Sequence, residues 1–182
     1  MTYAIHDLAG AQPIADTSTT QNHNLGKRVR ATDPTYGEGE FIYLLGVAST
    51  EVGDTVLYNA TTYQTARMTV SNGKNKGAPV AVAMSANVAS QYGWYQVRGN
   101  AVMKKTGVAV TPQVPVFISA TTGRIKVLAS AGQQILGAQS ANLTTVVTTT
   151  STVVVTINHP HTQGQITYSG ELHPARFSEW AG

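Results

Sequence analysis

The chain has 182 residues, of which 42% are hydrophobic and only 12% charged, a length and composition sufficient to bury a core without cross-links. It contains no cysteine, which excludes disulfides, thiolate catalysis and Cys-ligated zinc or iron–sulfur sites together. The net charge of +3 conceals an asymmetry: residues 1–54 carry seven acids and three bases, whereas residues 55–170 carry eight bases and no acid. A basic body beside an acidic arm predicts an anionic partner surface, or contacts between the arm and a neighbour in an oligomer. Nucleic acid ranks lower as a partner, because the bases are scattered singly with few aromatics between them.

In chain order, residues 1–40 read as an extended arm with little secondary structure of its own. They are polar, rich in Thr, Asn, Asp and Gly, and Gln21-Asn22-His23-Asn24 has no hydrophobic period. With so little apolar surface the arm is expected to pack on another subunit, with Pro13 and Ile14 as its anchor. Asp7 comes early and no long apolar run surrounds it, so no signal peptide is expected. No stretch approaches the roughly 20 apolar residues of a membrane helix, so no membrane partner is expected.

From Phe41 onward strands dominate. Phe41–Leu45 leads to a Gly53-Asp54 turn and Thr55–Tyr58, followed by Ala66–Val70 and an Asn72-Gly73 hairpin dipeptide. In Ala78–Met84, Val80, Val82 and Met84 share one face and small alanines the other. Ser85–Ser90 could supply one helical turn. In the next strand Tyr95 and Val97 are expected to point inward, and Trp94, Gln96 and Arg98 to leave the opposite face. Gly99 is expected to mark a bulge or bend. Val114–Ser119, a Thr122-Gly123 turn, Arg124–Leu128 and Gln134–Gly137 continue the pattern. Residues 143–158 are almost purely β-branched and suit a pleated surface. Strands every 8–12 residues with turn signals between them predict an all-β small barrel or sandwich. Its parts would be the arm at residues 1–40, a body at 41–142, and a Thr/Val-rich β segment with a tail at 143–182, which could share the body's domain.

Chemistry-bearing patterns are sparse. His159 and His161 flank Pro160 at strand spacing, and with His173 they would make a three-histidine metal set, but no carboxylate accompanies them in sequence. Loop histidines are the plainer reading, so no metal site is expected. There is no Gly-x-Ser-x-Gly, and no acid lies between Asp54 and Glu171 to orient a histidine. Gly73–Gly77 superficially resembles a phosphate loop but lacks the Gly-Lys-Ser/Thr ending, so a basic hairpin tip is expected. Hence no catalytic residue and no cofactor are expected. The candidate interface residues are Trp94, Gln96 and Arg98, since aromatic and Arg side chains are enriched where partners bind. The alternative for Trp94 is ordinary packing beneath the N-terminal arm or a neighbouring loop. Trp180, near the chain end with Phe177, is a further docking candidate.

Gly77-Ala78-Pro79-Val80-Ala81-Val82-Ala83-Met84, followed by Gln91-Tyr92-Gly93-Trp94-Tyr95-Gln96-Val97-Arg98-Gly99-Asn100-Ala101, resembles the small β-barrel decoration (cement) proteins of tailed-phage capsids. The order of features is similar too, from the Gly53-Asp54 turn through Val114–Ile118 to Thr121-Thr122-Gly123-Arg124. The likeness runs over residues 45–140 and leaves the arm and the Thr/Val-rich third unexplained. It implies a non-enzymatic virion protein, made in the host cytoplasm, that sits on the capsid exterior. Its partners would be the major capsid protein and further copies of itself, as a dimer or trimer. A virion fibre, tail or surface adhesin module that binds a host glycan is the alternative. The acid-free span from Thr55 to Gly170 adds the expectation of salt-sensitive attachment.

Overall fold

The computed structural model describes residues 4–5, 12–87 and 89–165. The described chain is nearly all β, as the strand spacing predicts. Its strands are β1 (Ala4–Ile5), β2 (Thr17–Ser18), β3 (Arg28–Asp33), β4 (Gly37–Leu45), β5 (Thr55–Tyr58) and β6 (Thr65–Arg67). After a one-turn helix α1 (Val70–Gly73) come β7 (Val80–Ala83), β8 (Tyr92–Lys104), β9 (Pro115–Ile118), β10 (Ile125–Lys126), β11 (Gln134–Ser140) and β12 (Thr152–Thr162). The main path is β1-β3-β4-β8-β12-β11-β9-β10, and β2, β5, β6 and β7 branch from it. Pairing between these strands is antiparallel throughout. The sheet curls into a half-barrel, and a bridge from Lys105 to Ile125 brings the β10 end back to the end of β8.

The spine is β8. Its first half pairs with β4, from Tyr43 opposite Trp94 to Glu40 opposite Arg98. Its second half pairs with β12, from Asn158 opposite Arg98 to Thr152 opposite Lys104. The change of partner needs a bend, and Gly99 supplies it as anticipated. The β4 register slips between Glu40 and Phe41, and Gly99 sits at φ +97°, where a Cβ would lie 2.4 Å from the Glu38 carbonyl oxygen. A side chain there is excluded both by backbone conformation and by space. Gln96 braces the bend: its Nε2 donates to the carbonyls of Arg98 and Asn100, each at 3.1 Å.

Three apolar clusters result. An aliphatic barrel core takes Leu57, Met68, Val80, Val82, Ala101, Met103, Val116, Ile118, Ile125, Ile135, Val153, Val155 and Ile157. A second cluster takes Ile42, Leu44, Val56, Ala81, Ala83, Tyr95 and Val97. A third, aromatic one takes Ile14, Val29, Ala31, Phe41, Tyr43, Met84 and Trp94. Thus β7 faces two cores: its valines enter the barrel and its alanines meet Tyr95 and Val97, as alternation requires. Met84, expected beside those valines, joins the aromatic cluster just past the strand end.

Several expectations are corrected. The arm is not bare extended chain within the described residues. Its Arg28–Asp33 stretch forms a hairpin with β4. Asp33 builds the turn, its Oδ1 accepting the backbone N–H groups of Thr35 (2.8 Å) and Tyr36 (3.0 Å). Asn72-Gly73 is not a hairpin. Thr69 caps α1 and the Asn72 side chain returns a bond to the Thr69 N–H, so reciprocal capping wins over turn propensity. Ser85–Ser90 holds no helix among the described residues. The β-branched run 143–158 is a strand only from Thr152, because residues 143–151 are spent on a loop.

Candidate interface surfaces

Trp94, Gln96 and Arg98 share a strand face, yet only Arg98 is exposed. Trp94 is fully buried and Gln96 is 1% exposed. The outward Trp94 patch is therefore overturned in this chain, and packing under the N-terminal segment is what the structure shows. The Trp94 Nε1–H donates to the Gln12 carbonyl at 3.0 Å. Its ring lies 5.0 Å from Tyr43, edge to face, and 5.4 Å from the His23 imidazole. Residues 12–25 strap across this face. Ile14 inserts at 3% exposure, while Pro13 stays on the surface. Two residues, Thr17 and Ser18, pair with Gly93 and Tyr92 of β8. Ser18 Oγ lies 3.2 Å from the Tyr43 hydroxyl, and the Asn22 N–H donates to the same hydroxyl at 3.3 Å. The described arm thus packs on its own body, against the expectation that it packs on another subunit. The reason is Ile14 with the aromatic face of Tyr43 and Trp94, which are too far apart in sequence to be recognised as partners. Trp180 and His173 lie outside the described residues.

Arg98 opens onto a polar groove where β4 and β12 diverge. The groove has a volume of about 440 Å³ and is lined in part by Glu38, Glu40, Gly99, Thr156 and Asn158. Beside it Arg28 pairs with Glu40 at 2.6 Å, and His159 Nδ1 stands 3.1 Å from the same guanidinium. His159 Nε2 is 3.8 Å from Glu40. Histidine and carboxylate do meet here, although sequence spacing offered His159 no acid. Exposed pairs of this kind contribute little to stability, and among the described residues no group of three ligating side chains is placed to hold a metal.

The other prominent surface lies at the far end of β8. Leu143 is 96% exposed, Val147 56% and Val52 47%. Their loops converge on Lys104 and Lys105. The Lys104 N–H donates to the Gly53 carbonyl at 2.8 Å and the Lys105 N–H to Ser151, also at 2.8 Å. The Lys105 side chain is buried, and its Nζ donates to the carbonyls of Val108 (2.8 Å), Val147 (3.0 Å) and Thr106 (3.4 Å). Burial pushes its pKa below the ordinary lysine value. The ammonium stands in for missing strand partners and fixes the base of the 143–150 loop. Asn142 assists through Nδ2, which donates to Val110 at 3.0 Å and to Thr144 at 2.6 Å.

A charge network anchors the neighbouring turn. Buried Asp54 takes Arg67 at 2.9 Å and Lys104 at 3.5 Å, and Lys104 also pairs with Glu51. That hydrogen bond and charge hold the Glu51 carboxyl below its usual value. Gly123, at φ +72°, leaves the room Asp54 needs, since a Cβ there would approach its carboxyl carbon to 2.8 Å. Pattern reading missed Lys105 and Leu143. The doublet Lys104-Lys105 looks like two solvated charges, and only the carbonyl cradle tells them apart.

Among the described residues the chain thus offers a β frame with apolar side chains exposed on several loops, Leu128 at 61% included, and a groove at Arg98. No protein-family model matches the sequence, and no curated protein matches it.

Proposed function

We propose that this chain is a non-catalytic assembly protein of the virion. It binds the outer surface of a capsid and cements neighbouring major capsid proteins, acting as a homo-oligomer. The single observation that carries the reading is the 143–150 loop. It presents Leu143 and Val147 to solvent from a base that buried Lys105 holds in place. An apolar side chain held out on a fixed loop has paid its ordering cost before binding, which favours docking onto a partner. The resemblance of residues 45–140 to capsid decoration proteins supplies the class of partner. Repetition over a lattice lets modest single contacts act together.

The test has two parts. Quantitative mass spectrometry of purified particles from a host making the protein should find it in a copy number comparable with that of the major capsid protein. A copy number like that of a tail component would sink the cement reading in favour of a fibre or adhesin. Leu143→Asp should then lower particle occupancy at least tenfold, the equivalent of about 1.4 kcal/mol, with the melting temperature unchanged. Full occupancy by this variant would remove the loop from the interface.

A further inference from the structure

The strap over Trp94 is fastened at one residue. The Gln12 N–H donates to His23 Nε2 at 3.2 Å, and the Gln12 carbonyl accepts from Trp94 Nε1 at 3.0 Å. The Gln12 side chain adds bonds within the strap, to the Asp16 carbonyl at 2.8 Å and from Asn22 Nδ2 at 2.9 Å. The His23 ring stands edge-on to Tyr43 at 5.1 Å and tilted to Trp94 at 5.4 Å. Accepting at Nε2 requires the neutral ring with its proton on Nδ1. An imidazolium would carry a proton on Nε2 aimed at the Gln12 N–H, so two donors would oppose each other.

We propose that His23 is a proton-operated latch: its protonation unfastens Gln12 and lifts the Gln12–Leu25 strap off the Tyr43–Trp94 face. Besides Gln12, the Ser18 and Asn22 bonds to the Tyr43 hydroxyl fasten the strap, and apolar burial adds little. Within residues 12–24 Ile14 is the one buried side chain, and β2 is two residues long. The groups that face the ring are the Tyr43 phenol, the Trp94 indole and the Lys27 ammonium. Burial first, and the like charge of Lys27 second, hold the His23 pKa below the ordinary histidine value. The sign follows. The strap binds the neutral ring, so its grip is complete above the unfolded value of about 6.5. It is lost as pH falls through the lower pKa of the folded state. Release would uncover Tyr43 and Trp94, the largest buried aromatic surface outside the barrel, under mild acid alone. His159 and His161, exposed on β12, do not contact the strap.

The experiment uses the full chain carrying Trp180→Phe, so that Trp94 alone reports by fluorescence. From about pH 8 down to about pH 5, three signals should move together: the His23 ring resonance, a red shift of Trp94 emission, and faster exchange of the Gln12 amide proton. Far-UV circular dichroism should stay constant. His23→Gln keeps an acceptor but cannot titrate, and in that variant the emission shift should vanish. The proposal is overturned if the shift persists in His23→Gln, if His23 titrates while Trp94 emission stays still, or if strand signal is lost at the same pH. The joint titration of the Trp180→Phe chain carries the test without any change at His23.

Discussion

The two halves of β8 are one strand in two environments. Before Gly99, Gly93–Val97 is buried on both faces, between a strap wired by polar bonds and the Tyr95–Val97 cluster. After it, Ala101 and Met103 enter an aliphatic core closed by β9 to β12. The first half draws its cover from residues 12–33, brought back from the start of the chain. The second draws it largely from β9 to β12, which follow it in the chain. Aliphatic packing carries no hydrogen-bond conditions, whereas each aromatic of the first half has a polar atom that must be satisfied. The Tyr95 hydroxyl is met by Asn87, and burial pushes the phenol's pKa up to about 12. Trp94 is met by Gln12. The lesson is that the barrel is held by volume and the strapped face by a few named bonds, so the two should fail differently.

The largest expected effect is Trp94→Ala. It empties the centre of the aromatic cluster and orphans the Gln12 carbonyl, at a cost of about 3–5 kcal/mol. For a chain this long, that lowers the melting temperature by roughly 6–20 °C. Ile118→Ala in the barrel should cost about 2–5 kcal/mol. The comparison lies in how the loss is distributed. Amide hydrogen exchange in Trp94→Ala should rise first in β2 and β3, with β9 and β11 still protected. In Ile118→Ala it should rise across the barrel strands together. Identical exchange patterns would show one cooperative unit and dissolve the distinction.

How much of this was legible in the sequence follows the same division. The strands β4, β5, β7, β8, β9 and β11 announce themselves by alternation and by Gly-centred turns, because their partners impose a period of two. The Gly99 bend was legible because a strand-interior glycine has few other uses. The strapped face was not, since a two-residue pairing and a single Ile14 leave no periodic trace. Nor was α1, where Thr69 and Asn72 act as a pair and Asn72-Gly73 read alone mimics a turn. Arg98 and Trp94 share the side of the strand that alternation gives them, but Trp94 is buried, because one segment covers the face at Trp94 and stops short of Arg98.

A middle-sized effect is expected at Lys105, where the barrel's end borrows the polar logic of the other half. Lys105→Ala leaves the Val108 carbonyl without its donor and the Val147 carbonyl with only the Thr150 N–H at 3.3 Å, and should cost about 1–3 kcal/mol. The stability of the parent protein should itself depend on pH: the folded pKa of Lys105 lies below the unfolded value, so the burial cost of the charged form begins to fall as pH rises through the folded value and is gone above the unfolded one. Limited proteolysis should cut Lys105→Ala within 143–150 well before the rest of the chain. Cleavage no faster than in the parent would mean that Asn142 alone suffices to hold the loop.

The smallest effect on the fold belongs to Arg98→Ala, and for that reason it isolates the surface from the core. The guanidinium makes no ion pair among the described residues, and the bend is braced by Gln96 through the Arg98 backbone carbonyl, which alanine retains. Stability should therefore change by no more than about 0.5 kcal/mol. Exposed Lys74 and Lys76 and half-buried Lys126 likewise have no carboxylate partner among the described residues, while Glu38, Glu40, Glu51 and Asp54 are all paired. Apart from exposed Asp16, which has no ion pair, what the described residues leave for a partner to meet is positive charge. If the partner surface is acidic, retention on particles should fall from low to molar salt, because exposed charges are screened beyond about 8 Å at physiological ionic strength. Arg98→Ala should weaken attachment at low salt and match the parent at high salt. A loss that is the same at every ionic strength would place Arg98 in a dry, directional contact. Retention indifferent to both salt and the substitution would leave attachment to the apolar loop at Leu143.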